Sequence, residues 1–278
     1  MNLVLIADES PANAWLIREL EAAHNICSII RPDWTVPRPA GRATTGSTPI
    51  VGSPFARITR ALRRRYFAQH DRAATERLAV ALFGNNPLPR PRATVEPVPS
   101  WDVNGAAIEA LLRNAAPDLI IVSGAPILRA NIFNLPRLGT VNLHFGISPD
   151  YRGMHTLLVP WQRRDYEHLG ATLHTIDEGI DSGPVLFRVY PALTPADDLV
   201  SIEAKITRQA ASALSGFLTS LSTCPTAMPR TGQLQTSSGV LLRFDDRTIA
   251  AHLTDRAGRL TGDRVPVRDA RIERFYGH

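Results

Sequence analysis

The chain is poor in cysteine and in long apolar runs. Its 278 residues include two cysteines, Cys27 and Cys224, which are far apart and lack the spacing of a metal site or a redox motif. A disulfide-rich scaffold is therefore disfavoured, and a reducing compartment is expected. No stretch approaches the roughly 18 apolar residues of a membrane span. The opening segment MNLVLIADES also lacks the basic and long apolar parts of a signal peptide. We expect a cytoplasmic protein with no membrane partner.

Lysine is almost absent, because Lys205 is the single lysine and arginine carries nearly all of the positive charge. The formal net charge is +5 and the sequence pI is about 9.7. A basic balance can indicate nucleic acid, but here acidic residues are interspersed with the arginines. This pattern favours ordinary surface charge. A few well-placed arginines would suit an anionic small substrate, since guanidinium groups bind phosphate and carboxylate groups in a bidentate manner.

A glycine-rich dinucleotide motif is also missing after the first predicted strand. The apolar residues 2–6 predict a buried strand, Ser10 and Pro11 predict the start of a helix, and residues 25–30 predict a second strand. This β-α-β order predicts an α/β fold with a doubly wound, mostly parallel sheet. Without G-x-G-x-x-G, a dinucleotide pyrophosphate site is disfavoured.

The length and composition predict one large domain, over residues 1–220, with a small C-terminal extension over 221–278. Residues 32–100 form an atypical excursion within the first of these. Its first part, 32–54, is rich in proline, glycine, serine and threonine and predicts a loop. Residues 56–83 predict two helices.

Three side chains suited to acyl transfer follow predicted strands. Asn142 and His144 are two residues apart in VNLH, so they point to the same face. A second strand, 171–176, leads into DEGIDSG, which presents Asp177 and Asp181. Ligands bind outside the carboxyl ends of strands in open α/β sheets, so we expect these groups to meet there. An amide can donate to an oxyanion, an imidazole can carry a proton, and a carboxylate can orient the imidazole. The residue types therefore indicate attack on a carbonyl-like carbon.

The motifs N-x-H, S-P-x-Y-R-G and D-E-G-I-D-S-G resemble the active-site signature of the folate-dependent formyltransferases. This family includes methionyl-tRNA, glycinamide ribonucleotide and sugar N-formyltransferases. The resemblance, strongest over 117–191, implies a Rossmann-like formyltransferase fold and one-carbon transfer from N10-formyltetrahydrofolate, with no metal. It also implies that Asn142, His144 and Asp181 are catalytic. One departure is G-I-S-P over 146–149, where the family usually has S-L-L-P.

The resemblance also implies a folate pocket and an acceptor site. The pocket would use a turn after strand 117–124, largely through backbone groups, although these residues could instead begin a helix. For Asp181 the alternative is a tight turn that uses aspartate and glycine for their backbone preferences. For the acceptor candidates the alternative is that they only stabilise the local structure. The folate candidates are Gly124, Ala125, Ile127, Leu128, Asp177 and Glu178, and the acceptor candidates are Arg152 and His155.

The length of the C-terminal extension helps to distinguish between classes of acceptor. The methionyl-tRNA formyltransferases share a C-terminal β-barrel of about a hundred residues, and about sixty residues after 220 are too few for it. A tRNA acceptor is therefore disfavoured. The glycinamide ribonucleotide enzymes lack both the 32–100 excursion and this tail. We expect a small, anionic amine acceptor, such as an amino-sugar nucleotide or an amino-acid-derived metabolite. A homodimer stays open.

Two other functions also stay open. Formyltetrahydrofolate hydrolases use the same triad to deliver formyl to water, although they carry an additional amino-terminal domain. A catalytically silent folate- or nucleotide-binding protein is the other alternative. Binding alone would not require Asn142, His144 and Asp181 together.

Overall fold

The computed structural model describes residues 1–39, 54–223, 232–236, 239–243, 246–260 and 262–276. Most of the predicted 32–54 loop therefore lies outside the described residues. The strands are β1 Leu3–Ala7, β2 Ile26–Asp33, β3 Thr94–Pro99, β4 Leu119–Ser123, β5 Thr140–His144, β6 Tyr151–Gly153, β7 Ala171–Thr175, β8 Val185–Tyr190, β9 Val240–Leu242 and β10 Arg271–Arg274. The helices are α1 Pro11–Ala23, α2 Pro54–Phe83, α3 Ala106–Ala115, α4 Ala130–Phe133, α5 Leu158–Gln162, α6 Leu199–Thr223 and α7 Ile249–Leu260.

Eight of these strands form one sheet in the order β10-β8-β7-β5-β4-β1-β2-β3. Strands β1 to β5 are parallel to one another, and the chain reverses its direction of travel across the sheet at β1. This confirms the predicted α/β fold with a doubly wound, mostly parallel sheet. Alternate residues of β1 enter two different cores. Leu3 and Leu5 pack in the cluster that includes α1 and α6, whereas Val4 and Ile6 pack with α3 and α4. Helices therefore cover both faces, as parallel strands require.

The helix prediction succeeded at α1 and failed at α2. The Ser10 side chain accepts a hydrogen bond from the backbone N–H of Asn13 at 3.3 Å, and Pro11 is the first helical residue. The expectation of two helices over 56–83 is wrong, because α2 is one helix of 30 residues. No proline or glycine interrupts the sequence after Pro54 until Gly84, so nothing local ends the helix earlier.

The described residues after 220 form strand pairings and helix contacts with the rest of the chain. Strand β10 joins the main sheet beside β8 in antiparallel orientation, and β9 pairs in parallel with β6. Helix α7 packs on α5 through Asp255, which accepts hydrogen bonds from Trp161 Nε1 at 3.3 Å and Arg164 Nη1 at 2.6 Å. Helix α6 itself continues through residue 220. The division at that residue stays a prediction.

None of the helices in the described part of the chain combines the length and apolar character needed to cross a membrane.

Candidate active site

Strand β5 carries Asn142 and His144 on one face. The neighbouring strand β7 is antiparallel, with Asn142 opposite His174 and Val141 opposite Thr175. The carboxyl end of β7 therefore lies beside the amino end of β5. The expectation that the two carboxyl ends meet is wrong, because it assumed parallel strands. The following turn, residues 177–183 and here named the Asp181 turn, instead folds back so that its carboxylate reaches Asn142.

The Asp181 carboxylate is the hub of this site. Its Oδ1 accepts a hydrogen bond from Asn142 Nδ2 at 3.1 Å, and its Oδ2 accepts one from the backbone N–H of Gly153 at 2.8 Å. Two imidazoles flank it, with His144 Nδ1 3.6 Å from Oδ2 and His174 Nε2 3.5 Å from Oδ1. Burial alone would favour the neutral acid. The adjacent histidines and the hydrogen bonds outweigh burial and hold the pKa of Asp181 well below its usual range. The carboxylate is therefore ionised at neutral pH.

His144 is buried, with 8% of its surface exposed. Burial lowers the pKa of its imidazole, although the negative charge of Asp181 opposes that change. Its Nε2 lies 3.2 Å from the backbone carbonyl oxygen of Tyr151, while Nδ1 faces Asp181. Each ring nitrogen thus faces an oxygen acceptor. The ring is neutral at rest, yet a second proton would have a partner at either nitrogen, which is what a transient proton carrier requires.

His174 belongs to this network, and the alternation of residues along β7 had left open core packing or packing near the site. Its Nε2 lies 3.2 Å from Asn142 Nδ2, and its Nδ1 lies 2.8 Å from the carbonyl oxygen of Thr175. Nδ1 faces a carbonyl oxygen and Nε2 faces an amide, so with Nδ1 donating both amide hydrogens of Asn142 have protein acceptors, namely Asp181 and His174. The signal that would have revealed His174 is the antiparallel register of β5 and β7, which periodicity does not show.

The departure from the family pattern at Gly146 has a steric cause. A Cβ on this residue would lie 2.6 Å from Thr156 Cβ and 2.7 Å from His144 Nε2. Thr156 is buried, and its hydroxyl donates to the carbonyl of Phe145. The space that a larger residue would fill at 146 is therefore occupied by Thr156 and by the imidazole itself.

The candidate folate residues after β4 form an irregular segment, and the alternative that they begin a helix is wrong, since α4 begins only at Ala130. Gly124 has a φ of +69°, and a Cβ there would lie 2.5 Å from Asp8 Oδ2. Leu128 is buried, whereas Ile127 is 66% exposed. Ala125 is partly buried against the apolar cluster that β1 and β4 form with α3 and α4. The segment thus offers irregular backbone and accessible apolar surface.

This segment lies where the sheet order reverses. Asn13 Nδ2 donates to Asp8 Oδ1 at 2.7 Å and to the carbonyl of Ser123 at 3.0 Å, so it links the ends of β1 and β4. Ile176, just before the Asp181 turn, packs against the same apolar cluster as Ala125. Asp8 and Asn13 were not singled out from the sequence.

Asp177 and Glu178 lie in the Asp181 turn. Asp177 Oδ1 accepts hydrogen bonds from the backbone N–H of Gly179 at 3.0 Å and from the Ser182 hydroxyl at 2.7 Å. Asp177 thus shapes the turn, and Glu178 is exposed beside it. Their assignment to folate stays a prediction.

The acceptor candidates Arg152 and His155 lie close together in the sequence, after β5. Arg152 is half-buried on β6, between the residues whose backbone groups contact His144 and Asp181. Its Nε is buried and has no hydrogen-bond partner among the described residues. His155 has a φ of +58°, and its carbonyl accepts the N–H of Val159 at 2.9 Å where α5 begins. Their acceptor roles stay predictions. Across the described ranges, no three histidine, cysteine or acidic side chains are placed to hold a metal ion.

Known proteins resemble this chain in sequence over part of its length. The Formyl transferase family profile matches residues 71–218. Methionyl-tRNA formyltransferase of Halorhodospira halophila is 34% identical over 115 residues, covering 41% of this chain and 37% of that protein. The Acidithiobacillus ferrooxidans protein of the same name is 31% identical over 189 residues, 62% of this chain and 57% of that protein. The chain thus spans about a third to just over half of these relatives.

Two solved structures share the fold. A sugar N-formyltransferase from a Shewanella species superposes with a TM-score of 0.55 at 12% identity, covering 92% of this chain and 86% of that one. A 4-N formyltransferase from Francisella tularensis gives 0.53 at 12% identity, with 97% and 98% covered. At this identity the likeness concerns the fold alone. The family profile covers more than half of the sequence, and the chain therefore belongs to the formyl transferase family.

Proposed function

We propose that this protein is an N-formyltransferase that moves a formyl group from N10-formyltetrahydrofolate to the amine of a small acceptor. The observation that carries the proposal is the convergence of Asn142 and His144 on the ionised carboxylate of Asp181. Family membership supports the same chemistry.

The first task of the site is to stabilise the oxygen that becomes negatively charged when the amine attacks the formyl carbon. Asn142 can do this with an amide N–H, and removing one such donor typically costs about 3 kcal/mol in barrier. Both of its hydrogens have acceptors at rest. The contact with His174 is the one we expect to exchange, since the bond to the Asp181 carboxylate is charge-assisted and therefore stronger.

The second task is to move the amine proton. Neutral His144 accepts it, and the adjacent Asp181 stabilises the resulting imidazolium without itself taking the proton. The proton then passes to the folate nitrogen as its bond to the formyl carbon breaks. Because His144 is 8% exposed, little bulk water competes for the proton.

The residues present fit the formyl donor. The irregular backbone at Gly124 and Ala125, with exposed Ile127 beside it, offers hydrogen-bonding groups and apolar surface to a flat pterin ring. Leu128 would support this segment from the core, and the Asp181 turn, including Asp177 and Glu178, would border the ring. When bound, the donor supplies an activated formyl carbon, and these residues hold it beside His144.

For the acceptor, we propose an amino-sugar nucleotide or an amino-acid-derived metabolite that carries a negative charge. Arg152 supports an anionic ligand, because the buried Nε of its half-buried side chain has no hydrogen-bond partner among the described residues. His155 is proposed to line the same space. The fold shared with a sugar N-formyltransferase agrees with this choice. Methionyl-tRNA is the second candidate, since the relatives compared by sequence carry that name.

The test is to measure tetrahydrofolate released from N10-formyltetrahydrofolate with a panel of amino-sugar nucleotides, small amines and methionyl-tRNA. Transfer to one acceptor, lost in His144→Ala, supports the proposal and identifies the substrate. Folate turnover with no acceptor would indicate the hydrolase instead. Folate binding without turnover across the panel would favour a catalytically silent binding protein.

A further inference from the structure

The Asp181 turn is held from outside by a residue of the C-terminal extension. Gln235 Nε2 donates to the carbonyl oxygen of Asp181 at 3.1 Å and to that of Gly183 at 2.6 Å. One side-chain amide therefore bridges two backbone carbonyls on either side of Ser182. These contacts span 54 and 52 residues of sequence, so they are tertiary contacts, not local turn chemistry.

The turn needs such support. Asp181 adopts a φ of +48°, a left-handed conformation that costs about 1 kcal/mol or more for a residue with a side chain. A rotation of the peptide on either side of Asp181 would carry its carboxylate away from His144. The carbonyl that Gln235 holds belongs to one of these peptides.

The rest of the extension fixes Gln235 in place. Gln233 and Val185 exchange two backbone hydrogen bonds of 2.8 and 2.9 Å, which anchors the segment to β8. Farther along, β9 pairs with β6, and the carbonyl of Leu242 accepts the N–H of Met154 at 3.0 Å. Strand β6 contains Gly153, whose N–H binds the Asp181 carboxylate. The extension therefore supports this carboxylate from two directions.

We propose that Gln235 is a positioning residue, whose amide fixes the turn so that the Asp181 carboxylate stays against His144. Its Oε1 is buried and has no hydrogen-bond partner among the described residues, so the side chain is held through its Nε2. The effect of Gln235 on turnover rests on the proposed formyl transfer. Its effect on the position of the Asp181 carboxylate does not.

The variants to compare are Gln235→Ala and Gln235→Glu, with Gln209→Ala as the matched control. Glutamate has the same length but no N–H to donate, so it would place an acceptor against two carbonyl oxygens. Gln209 binds the carbonyl of Arg271 at 3.0 Å, joining α6 to β10 away from the site. The readouts are the NMR titration of the His144 ring and the steady-state constants with N10-formyltetrahydrofolate and a thymidine-diphosphate amino sugar.

In Gln235→Ala we expect the pKa of His144 to fall below its wild-type value, because the Asp181 charge that raises it has moved away. The turnover number falls by about 10- to 100-fold with little change in KM, since a displacement of about 1 Å can cost that much. Gln209→Ala changes neither quantity. An unchanged His144 titration in folded Gln235→Ala, or a loss of activity in both variants that only follows a loss of folded protein, overturns the proposal.

A further measurement needs no variant. In the wild-type protein, the side-chain amide protons of Gln235 should exchange slowly with solvent because both donate within the fold. Fast exchange would contradict the proposal even if both variants fail to fold. If the wild-type protein transfers no formyl group, the proposed function fails, while the titration and the exchange rate still decide the role of Gln235.

Discussion

The protonation state of His144 follows from two opposing influences, burial and the Asp181 charge. Burial dominates, so NMR titration of the His144 ring should give a midpoint below the ordinary value of 6.5. In Asp181→Asn the midpoint should fall further, because the influence that raises it is lost. An upward shift would mean that the carboxylate does not interact with this ring.

The same shift affects folding. The unfolded chain binds a proton on His144 near pH 6.5, whereas the folded chain binds it only at lower pH. This group therefore contributes its full stability above pH 6.5, and the contribution is lost as the pH falls below that value.

Gly146 permits a close contact with the imidazole, which leads to a second prediction. Gly146→Ala should reduce turnover by about 100-fold, because the new Cβ would displace His144 or Thr156 by enough to disturb the site. Gly216→Ala is the matched control. A Cβ there meets nothing within 4 Å, and Gly216 lies on the exposed side of α6, so stability should rise by about 0.4–1 kcal/mol. Urea unfolding and formyl-transfer rates measured on both variants decide the matter, and full activity in Gly146→Ala would contradict the prediction.

The sequence could indicate some of the candidate site residues but not all. Asn142, His144 and Asp181 stand in local motifs, and the structure brings them together. His174 and Gln235 could not be identified in this way. The first depends on the register of two strands, and the second on a contact across 54 residues. Neither property leaves a periodic trace in the sequence.

Helix α7 depends on Asp255, which is 9% exposed and accepts hydrogen bonds from Trp161, Arg164 and Arg259. Asp255→Ala should destabilise the protein by about 3–5 kcal/mol, because it leaves buried donors without their acceptor. Asp263, the other partner of Arg164, has a side chain that is 46% exposed. Asp263→Ala should cost less than about 1 kcal/mol. Denaturant midpoints compare the two, and equal losses would show that Asp255 is not the anchor of α7.

Element types were easier to predict than element partners. The buried strands and the amphipathic helices α1 and α6 have clear apolar patterns, and their positions agree with the structure. The antiparallel direction of β7 could not be predicted, because short apolar runs look the same in parallel and antiparallel strands. The prediction of two helices in place of α2 was wrong, because the arginine-rich sequence of this segment gives a weak amphipathic pattern.

The end of the described chain is fastened to several loops through Arg268. Its guanidinium donates to the carbonyls of Tyr166 at 2.7 Å, Leu169 at 3.0 Å and Pro191 at 3.1 Å. Arg268→Lys should cost about 1–3 kcal/mol, since an ammonium group cannot reach three carbonyls in different directions. Arg274 is exposed on β10, and Arg274→Lys should stay within about 0.5 kcal/mol. The midpoint of thermal unfolding is measured for both variants. An unchanged midpoint in Arg268→Lys would show that these hydrogen bonds contribute no net stability.

The dependence of the Asp181 turn on Gln235 has a consequence for biosynthesis. The strands that carry Asn142 and His174 leave the ribosome well before residue 235 does, and domains generally begin to fold from the amino terminus. The nascent protein can therefore form most of its sheet while its carboxylate is still unplaced. The placement of this carboxylate would be a late step of maturation, so a partly synthesised chain would be folded in large part before its candidate site is complete.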